Sequence, residues 1–255
     1  NVAADPMFTF AYQGINGGMA FVNADDPGMH SSQNEQDNRR YAKAMKICML
    51  EPADSQECLD MTRAAYEISE KYESPVMIRL TTRVDHSKSL VELGERKEVP
   101  AVPYVKQRDR LDDVPAVSKQ RRYVIEEREK QLKEYSENSP FNYEEMHDTK
   151  IGIVASGVAY MYAKEVLEDK ASYLKIGFSY PLPIEKIRAF SKKVDTLYVV
   201  EELDPVMEEQ IKAAGIDCHG KDVIPNIDEL NPNIVATGIL GKGFPSKTVP
   251  DGLFV

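Results

Sequence analysis

The 255-residue chain is short of basic charge, of cysteine and of long apolar runs, and each shortage removes a class of function. Lys and Arg number 32 against 42 Asp and Glu, a formal net charge of −10, so the basic face that a general nucleic-acid binder needs is missing. The three Cys (Cys48, Cys58, Cys218) are widely spaced and form no C-x-x-C. They give no basis for a disulfide framework, a zinc ribbon or iron–sulfur ligation within the chain, and predict a reducing cytoplasm. No run approaches the roughly 18 apolar residues of a membrane span, and no secretory signal is present. Gly (14) and Pro (15) are near average usage, which excludes collagen-like and disordered composition. The chain does not begin with Met, and Asn1-Val2-Ala3-Ala4-Asp5-Pro6 reads as though cut from something longer.

What is present reads as alternating strand and helix. Residues 17–22 predict a buried strand, a helix follows from Asp37 or Asn38, and residues 47–50 form a second strand. Asp54, with Glu57 three residues on, is a capping box, and Cys58, Met61, Ala65, Ile68 and Tyr72 then mark one apolar helix stripe. Residues 76–80 give a third strand, so residues 1–87 predict a parallel sheet with helical crossovers. Residues 88–148 read as a linker whose charged stretch, 119–135, is a surface helix with a thin stripe of Val117, Val124, Leu132 and Tyr135. Residues 149–255 predict a second α/β unit, with strands at 151–155, 173–178 and 197–200. Its helices lie at 158–167, after Pro183, and from Pro205 to a stop at Gly215, with an irregular tail beyond.

Four places carry candidate chemistry. Ser156-Gly157 turns from a strand into a helix and could present backbone N–H groups to an anion. The fuller glycine fingerprints for nucleotide phosphates are absent, which favours an ordinary βα turn. Residues 25–37 follow a strand's C-terminal end, where ligands bind in open parallel sheets. There His30 is a candidate acid, base or donor, and Ser31, Ser32 and Gln33 are neutral hydrogen-bonding groups. Composition leaves a ligand loop and a polar surface loop both open. Arg83, at the end of the third strand, can take a carboxylate or phosphate, or pair with Asp85 or another surface acid. Glu201 and Glu202 at a strand end suit acid–base work or helix capping. His147 and His219 are isolated, and no spacing resembles a closed metal site.

The string Ala24-Asp25-Asp26-Pro27-Gly28, continuing through His30-Ser31-Ser32-Gln33-Asn34-Glu35-Gln36-Asp37, resembles the alpha (large) subunit of the indolepyruvate:ferredoxin oxidoreductases. Residues 1–6, 79–83, 151–157, 178–183 and 199–205 resemble that subunit in the same order. The resemblance implies a member of the thiamine-diphosphate-dependent 2-oxoacid:ferredoxin oxidoreductases. These decarboxylate an aryl 2-oxoacid, pass the acyl group to coenzyme A, and send electrons through iron–sulfur clusters to ferredoxin.

It implies an α/β fold: the later part of a pyrimidine-type parallel-sheet domain over residues 1–87, a linker over 88–148, and a transketolase C-terminal-like domain over 149–255. It also implies a substrate-side catalytic role for His30, substrate or cofactor contacts for Ser31, Ser32, Gln33, Glu35, Gln36 and Arg83, and no metal ligand. Thiamine diphosphate, magnesium and iron–sulfur clusters belong to the complete enzyme, with the catalytic glutamate before the matched stretch and the diphosphate and cluster regions after it. The implied partners are those remaining domains, a beta subunit, ferredoxin, coenzyme A and the 2-oxoacid, in an oligomer without nucleic acid or membrane. The isolated chain is then expected to be an inactive internal fragment. Two other readings stay open: a non-catalytic ligand-binding or assembly module, and a sister enzyme for phenylpyruvate or branched-chain substrates.

Overall fold

The structure, a computed structural model, describes residues 2–96 and 98–245. The chain begins with α1 (Ala4–Gln13), β1 (Ala20–Asp25), α2 (Arg39–Met45), β2 (Cys48–Leu50), α3 (Ser55–Tyr72), β3 (Val76–Thr81) and α4 (Thr82–His86). The described residues from 87 to 107 carry no helix or strand; α5 (Arg108–Leu111) and the long α6 (Pro115–Asn138) follow. The rest is β4 (Asn142–Glu145), β5 (Ile151–Ala155), α7 (Gly157–Leu167), β6 (Ser172–Ile176), β7 (Phe178–Tyr180), α8 (Ile184–Ser191), β8 (Thr196–Val200), α9 (Val206–Ala213) and α10 (Pro232–Leu240). Among the described residues no helix is long and apolar enough to cross a membrane.

Among the described residues two four-stranded sheets result, in the orders β1-β3-β2-β7 and β4-β6-β5-β8. Local signals explain the helix between β2 and β3. Asp54 accepts the Glu57 N–H at 2.9 Å, and Glu57 reaches back to the Ala53 N–H at 2.8 Å. Met61, Ala65 and Ile68 are then buried against Cys48, Leu50, Val76 and Ile78 of the sheet, while Cys58 and Tyr72 are only half covered.

The sheets depart from pure parallel pairing at one edge each. β4 runs antiparallel to β6, and β7 runs antiparallel to β2. The expected strand over 173–178 is in fact two strands parted at Gly177, with the second crossing to the other sheet. A Cβ on Gly177 would lie 2.6 Å from Met61 Cε and 2.8 Å from the Phe141 carbonyl, so only glycine lets the chain pass. The Asn142 amide holds the parting. Its Oδ1 accepts the Gly177 and Phe178 N–H groups, and its Nδ2 donates to the Phe178 and Ser136 carbonyls.

Two further expectations are corrected. The helix over 119–135 is longer and lies on the surface with a different buried stripe: Arg121, Ile125, Arg128, Leu132 and Ser136 are buried, Val117 and Tyr135 are half-buried, and Val124 is exposed. Charge misled here, because the two arginines end on main-chain carbonyls. Arg128 donates to the Ala11 carbonyl at 2.7 Å and to that of Glu73 at 3.3 Å, and Arg121 donates to that of Tyr12 at 3.3 Å. These carbonyls lie at the C-terminal ends of α1 and α3, where the helix supplies no further donor and cations are favoured. The tail also holds a helix, α10. Asn231 caps it by accepting the Ile234 N–H at 3.0 Å, and Pro232 occupies its first turn.

Candidate functional site

The carboxyl ends of β2 and β3 meet those of β5 and β8, and charged residues fill the junction. Arg79, the charged residue of β3, donates through Nε to Asp25 Oδ2 at 2.7 Å and through Nη1 to Glu51 Oε2 at 2.8 Å. Ser156, just before α7, donates to the same Glu51 oxygen at 3.2 Å. Burial opposes the charge on Arg79, but Glu51 foremost, with Asp25 and Asp37, holds its pKa above normal. Arg79 Nη2 and Glu51 Oε1 are buried without a protein hydrogen-bond partner, beside a cavity of about 10 Å³ also lined by Thr81, Ser156, Gly157 and Glu202.

Arg39 opens α2 and is 1% exposed. It donates to both Asp37 oxygens at 2.8 and 2.6 Å, to Glu201 Oε2 at 2.5 Å, and to the Glu202 and Asp204 carbonyls at 2.7 and 2.8 Å. Burial works against its charge, yet Glu201 and Asp37 more than offset that and hold it well above its ordinary pKa. Asp37 is likewise buried, but Arg39 holds its carboxyl down at about 2. Glu201 also caps α9, accepting the Met207 and Glu208 N–H groups at 2.9 Å. Of its two sequence readings, capping is the one the geometry shows. Burial pushes the Glu202 carboxyl up.

Outside this junction lies a more open cluster built on the loop after β1. Asp26 organises the loop: Oδ2 accepts the Ser31 and Ser32 N–H groups at 2.9 Å, and Oδ1 accepts the Thr82 hydroxyl at 2.7 Å. The Ser31 amide and then the Thr82 hydroxyl hold the Asp26 carboxyl well below the usual carboxylate range. Gly28 turns with φ +79°, and a Cβ there would lie 3.2 Å from the Glu229 nitrogen. Glu35 Oε1 accepts the Gly28 N–H at 2.7 Å and the Asp228 N–H at 2.9 Å, which ties the loop to the segment before α10.

At the rim three side chains converge. Arg83, on α4, grips Glu229 with both prongs of its guanidinium, Nε to Oε1 and Nη2 to Oε2, the latter at 2.6 Å. His30 Nε2 lies 3.2 Å from Glu229 Oε2. Glu229 raises the Arg83 pKa through these hydrogen bonds.

The structure therefore brings His30, Glu35 and Arg83 together around residues 228–229. Ser31 and Ser32 enter through their backbone N–H groups. Gln33 is exposed, and Gln36 donates to Asn34 at 3.2 Å within the loop. Arg83 pairs with Glu229 rather than with Asp85. His147 and His219 sit elsewhere, beside Asp169 at 3.4 Å and Asp222 at 2.7 Å.

Sequence reasoning missed Arg39, Arg79, Glu51 and Glu229. Only Arg79 carried a signal, as a lone cation inside a strand. Among the described residues no three His, Cys, Asp or Glu side chains are placed to hold a metal. The thiols are free and lie on β2, on α3 and after α9, with burial pushing Cys48 up to about 12 and Cys58 and Cys218 up to about 11.

No family model matches the chain. Indolepyruvate oxidoreductase subunit IorA of Pyrococcus abyssi is 41% identical over 248 residues, which is 90% of this chain and 38% of that protein. The IorA subunit of Methanothermobacter thermautotrophicus is 38% identical over 96% of this chain and 42% of its own length. This chain thus spans about two fifths of the length of the curated relatives it matches. Among solved structures, the 2-oxoglutarate:ferredoxin oxidoreductase of Magnetococcus marinus, with 2-oxoglutarate, coenzyme A and succinyl-CoA bound, has the same fold. Its TM-score is 0.66 at 12% identity, covering 94% of this chain and 51% of that one. A split-gene transketolase, an inactive beta4 tetramer, gives a TM-score of 0.52 at 12% identity, over 88% of this chain and 65% of that one. With the sequence motifs in order, an α/β fold shared with these enzymes, and curated relatives matched along nearly its whole length, the chain is similar to an internal part of the indolepyruvate oxidoreductase IorA subunits.

Proposed function

We propose that this chain forms the substrate-facing part of a 2-oxoacid:ferredoxin oxidoreductase subunit, and that the rim cluster receives the carboxylate of an aryl 2-oxoacid of the indolepyruvate class. The observation that carries this reading is the rim itself. Arg83 and His30, from separate segments, already close on a carboxylate, and they do so at the carboxyl end of a parallel sheet. A guanidinium fork matches a carboxylate in geometry as well as charge. In this role Arg83 binds and orients the substrate, and His30 supplies a second polar contact from which a proton can be given or taken. Asp26 and Glu35 fix the loop, so Ser31, Ser32, Gln33 and Gln36 face the ligand from a preset frame.

The division into a pyrimidine-type domain over residues 1–87, a linker over 88–148 and a transketolase C-terminal-like domain over 149–255 is part of the same proposal. Thiamine diphosphate, magnesium and iron–sulfur clusters supply the decarboxylation and electron transfer when bound in the complete enzyme. The described residues of this chain do not fit them: the thiols stand apart and protonated, and the junction carboxylates engage Arg39, Arg79 and backbone N–H groups, with Glu51 Oε1 left open beside a cavity of only about 10 Å³. We therefore place those groups, the coenzyme A and ferredoxin contacts and the beta subunit's contribution outside this chain, which alone turns over no substrate. Heat of binding on titrating the chain with thiamine diphosphate and magnesium would contradict that placement.

The substrate reading is tested by His30→Ala in the complete subunit with its partner. A positioned acid–base group is worth about 100-fold or more, so turnover of indole-3-pyruvate falls by at least about tenfold. An unchanged rate removes His30 from the site. A non-catalytic module would show altered association and no effect on turnover.

A further inference from the structure

Glu229 comes from far along the chain, 146 residues beyond Arg83 and 199 beyond His30. It delivers to them a single carboxylate, the functional group that the proposed substrate carries. We infer that Glu229 is a stand-in for the substrate carboxylate: it fills the seat formed by Arg83 and His30, and an incoming 2-oxoacid must displace it. This inference rests on the substrate reading above and adds a gate to it.

The geometry separates this pair from the ion pairs that hold the fold. The Arg83 side chain is 54% exposed and that of His30 39%, whereas Glu229 is 16% exposed, so Arg83 and His30 look outward and the carboxylate approaches from the protein side. An incoming carboxylate can reach Arg83 from solvent without opening the core. The segment that carries Glu229 is a surface turn. Its Asp228 has φ +64°, a left-handed conformation unusual for a residue other than glycine, and Ile227 beside it is exposed. The turn is tied down through the Asp228 N–H on Glu35 and the Leu230 N–H on Glu202 Oε1 at 3.4 Å. Neither tether involves the Glu229 side chain, so that side chain can swing away while the turn stays anchored.

Glu229 occupies the Nε–Nη2 edge of Arg83, and a second carboxylate cannot take that same edge while it is filled. Binding of the 2-oxoacid and seating of Glu229 are therefore mutually exclusive, and the apparent affinity is lowered by the fraction of molecules with the seat filled. The gate also works as a selector. Ligands without an oxyanion gain nothing from Arg83 and leave Glu229 where it is.

The experiment is steady-state kinetics of the complete enzyme with indole-3-pyruvate, comparing wild type, Glu229→Gln, Glu229→Asp, Arg83→Ala and the Arg83→Ala/Glu229→Gln double variant. Removing the competing charge lowers KM about threefold to tenfold, the scale of an exposed ion pair plus its repulsion, and the effect lies in KM more than in kcat. Glu229→Asp returns KM toward the wild-type value. In the Arg83→Ala background, Glu229→Gln no longer changes KM. An unchanged or raised KM in Glu229→Gln, with KM raised in Arg83→Ala, overturns the gate and leaves the substrate seat standing. An unchanged KM in Arg83→Ala overturns the seat and the gate with it.

Discussion

Arg39 and Arg83 perform the same chemistry in opposite surroundings. Both place a guanidinium on carboxylates from distant parts of the chain, yet Arg39 is 1% exposed and the Arg83 side chain 54%. Arg39 spends its donors on Asp37, Glu201 and two carbonyls, so no oxygen can leave without stranding a buried charge. Arg83 serves one acid in contact with solvent, and water can replace either partner. Burial thus turns one pair into a fixed joint between the sheets and leaves the other exchangeable. A binding seat needs the second kind, mounted on a frame built from the first.

The largest effect should come from breaking the joint. Arg39→Met leaves Asp37 and Glu201 buried without their cation, so urea unfolding should show a loss of about 3–5 kcal/mol. Arg83→Ala should cost less than about 1 kcal/mol in the same assay, the usual worth of an exposed pair. Equal losses would erase the distinction.

A smaller effect separates the two regions by pH. Arg39 lowers the Asp37 carboxyl from 3.8 to about 2. Between those values the unfolded chain binds a proton that the folded chain does not, so stability falls as pH falls through that window. The contribution, present in full above about pH 4, is about 2 kcal/mol at ~1.4 kcal/mol per pKa unit. Unfolding of Asp37→Asn measured from pH 5 to 2 should lack that slope, and a slope equal to wild type would take Asp37 out of the joint.

What could be read from sequence follows the range of the interactions. The capping box at Asp54 and Glu57 is a contact between neighbours, and it appears in the structure where the spacing predicted it. The α10 cap at Asn231-Pro232 was equally local but sat among prolines that suggested an irregular tail. β4 and β7 are four and three residues long and have no period to detect, and β7 changes sheets because of a steric fit at Gly177. The charged α6 looked solvated because nothing in its own residues shows that Arg121 and Arg128 end on carbonyls more than 50 residues away. The loop around His30 and the position of Arg83 were legible from their place after strands. Their common partner Glu229 was not, since only the folded chain brings residue 229 to residues 30 and 83.

The most direct test is a crystal structure of the complete enzyme with indole-3-propionate, which keeps the ring, the chain length and the carboxylate of the proposed substrate but lacks its 2-oxo group. The account predicts the acid's carboxylate on Arg83 and His30, with the Glu229 side chain turned away and the Asp228 N–H still on Glu35. A ligand bound elsewhere, with the Arg83–Glu229 fork intact, would contradict it.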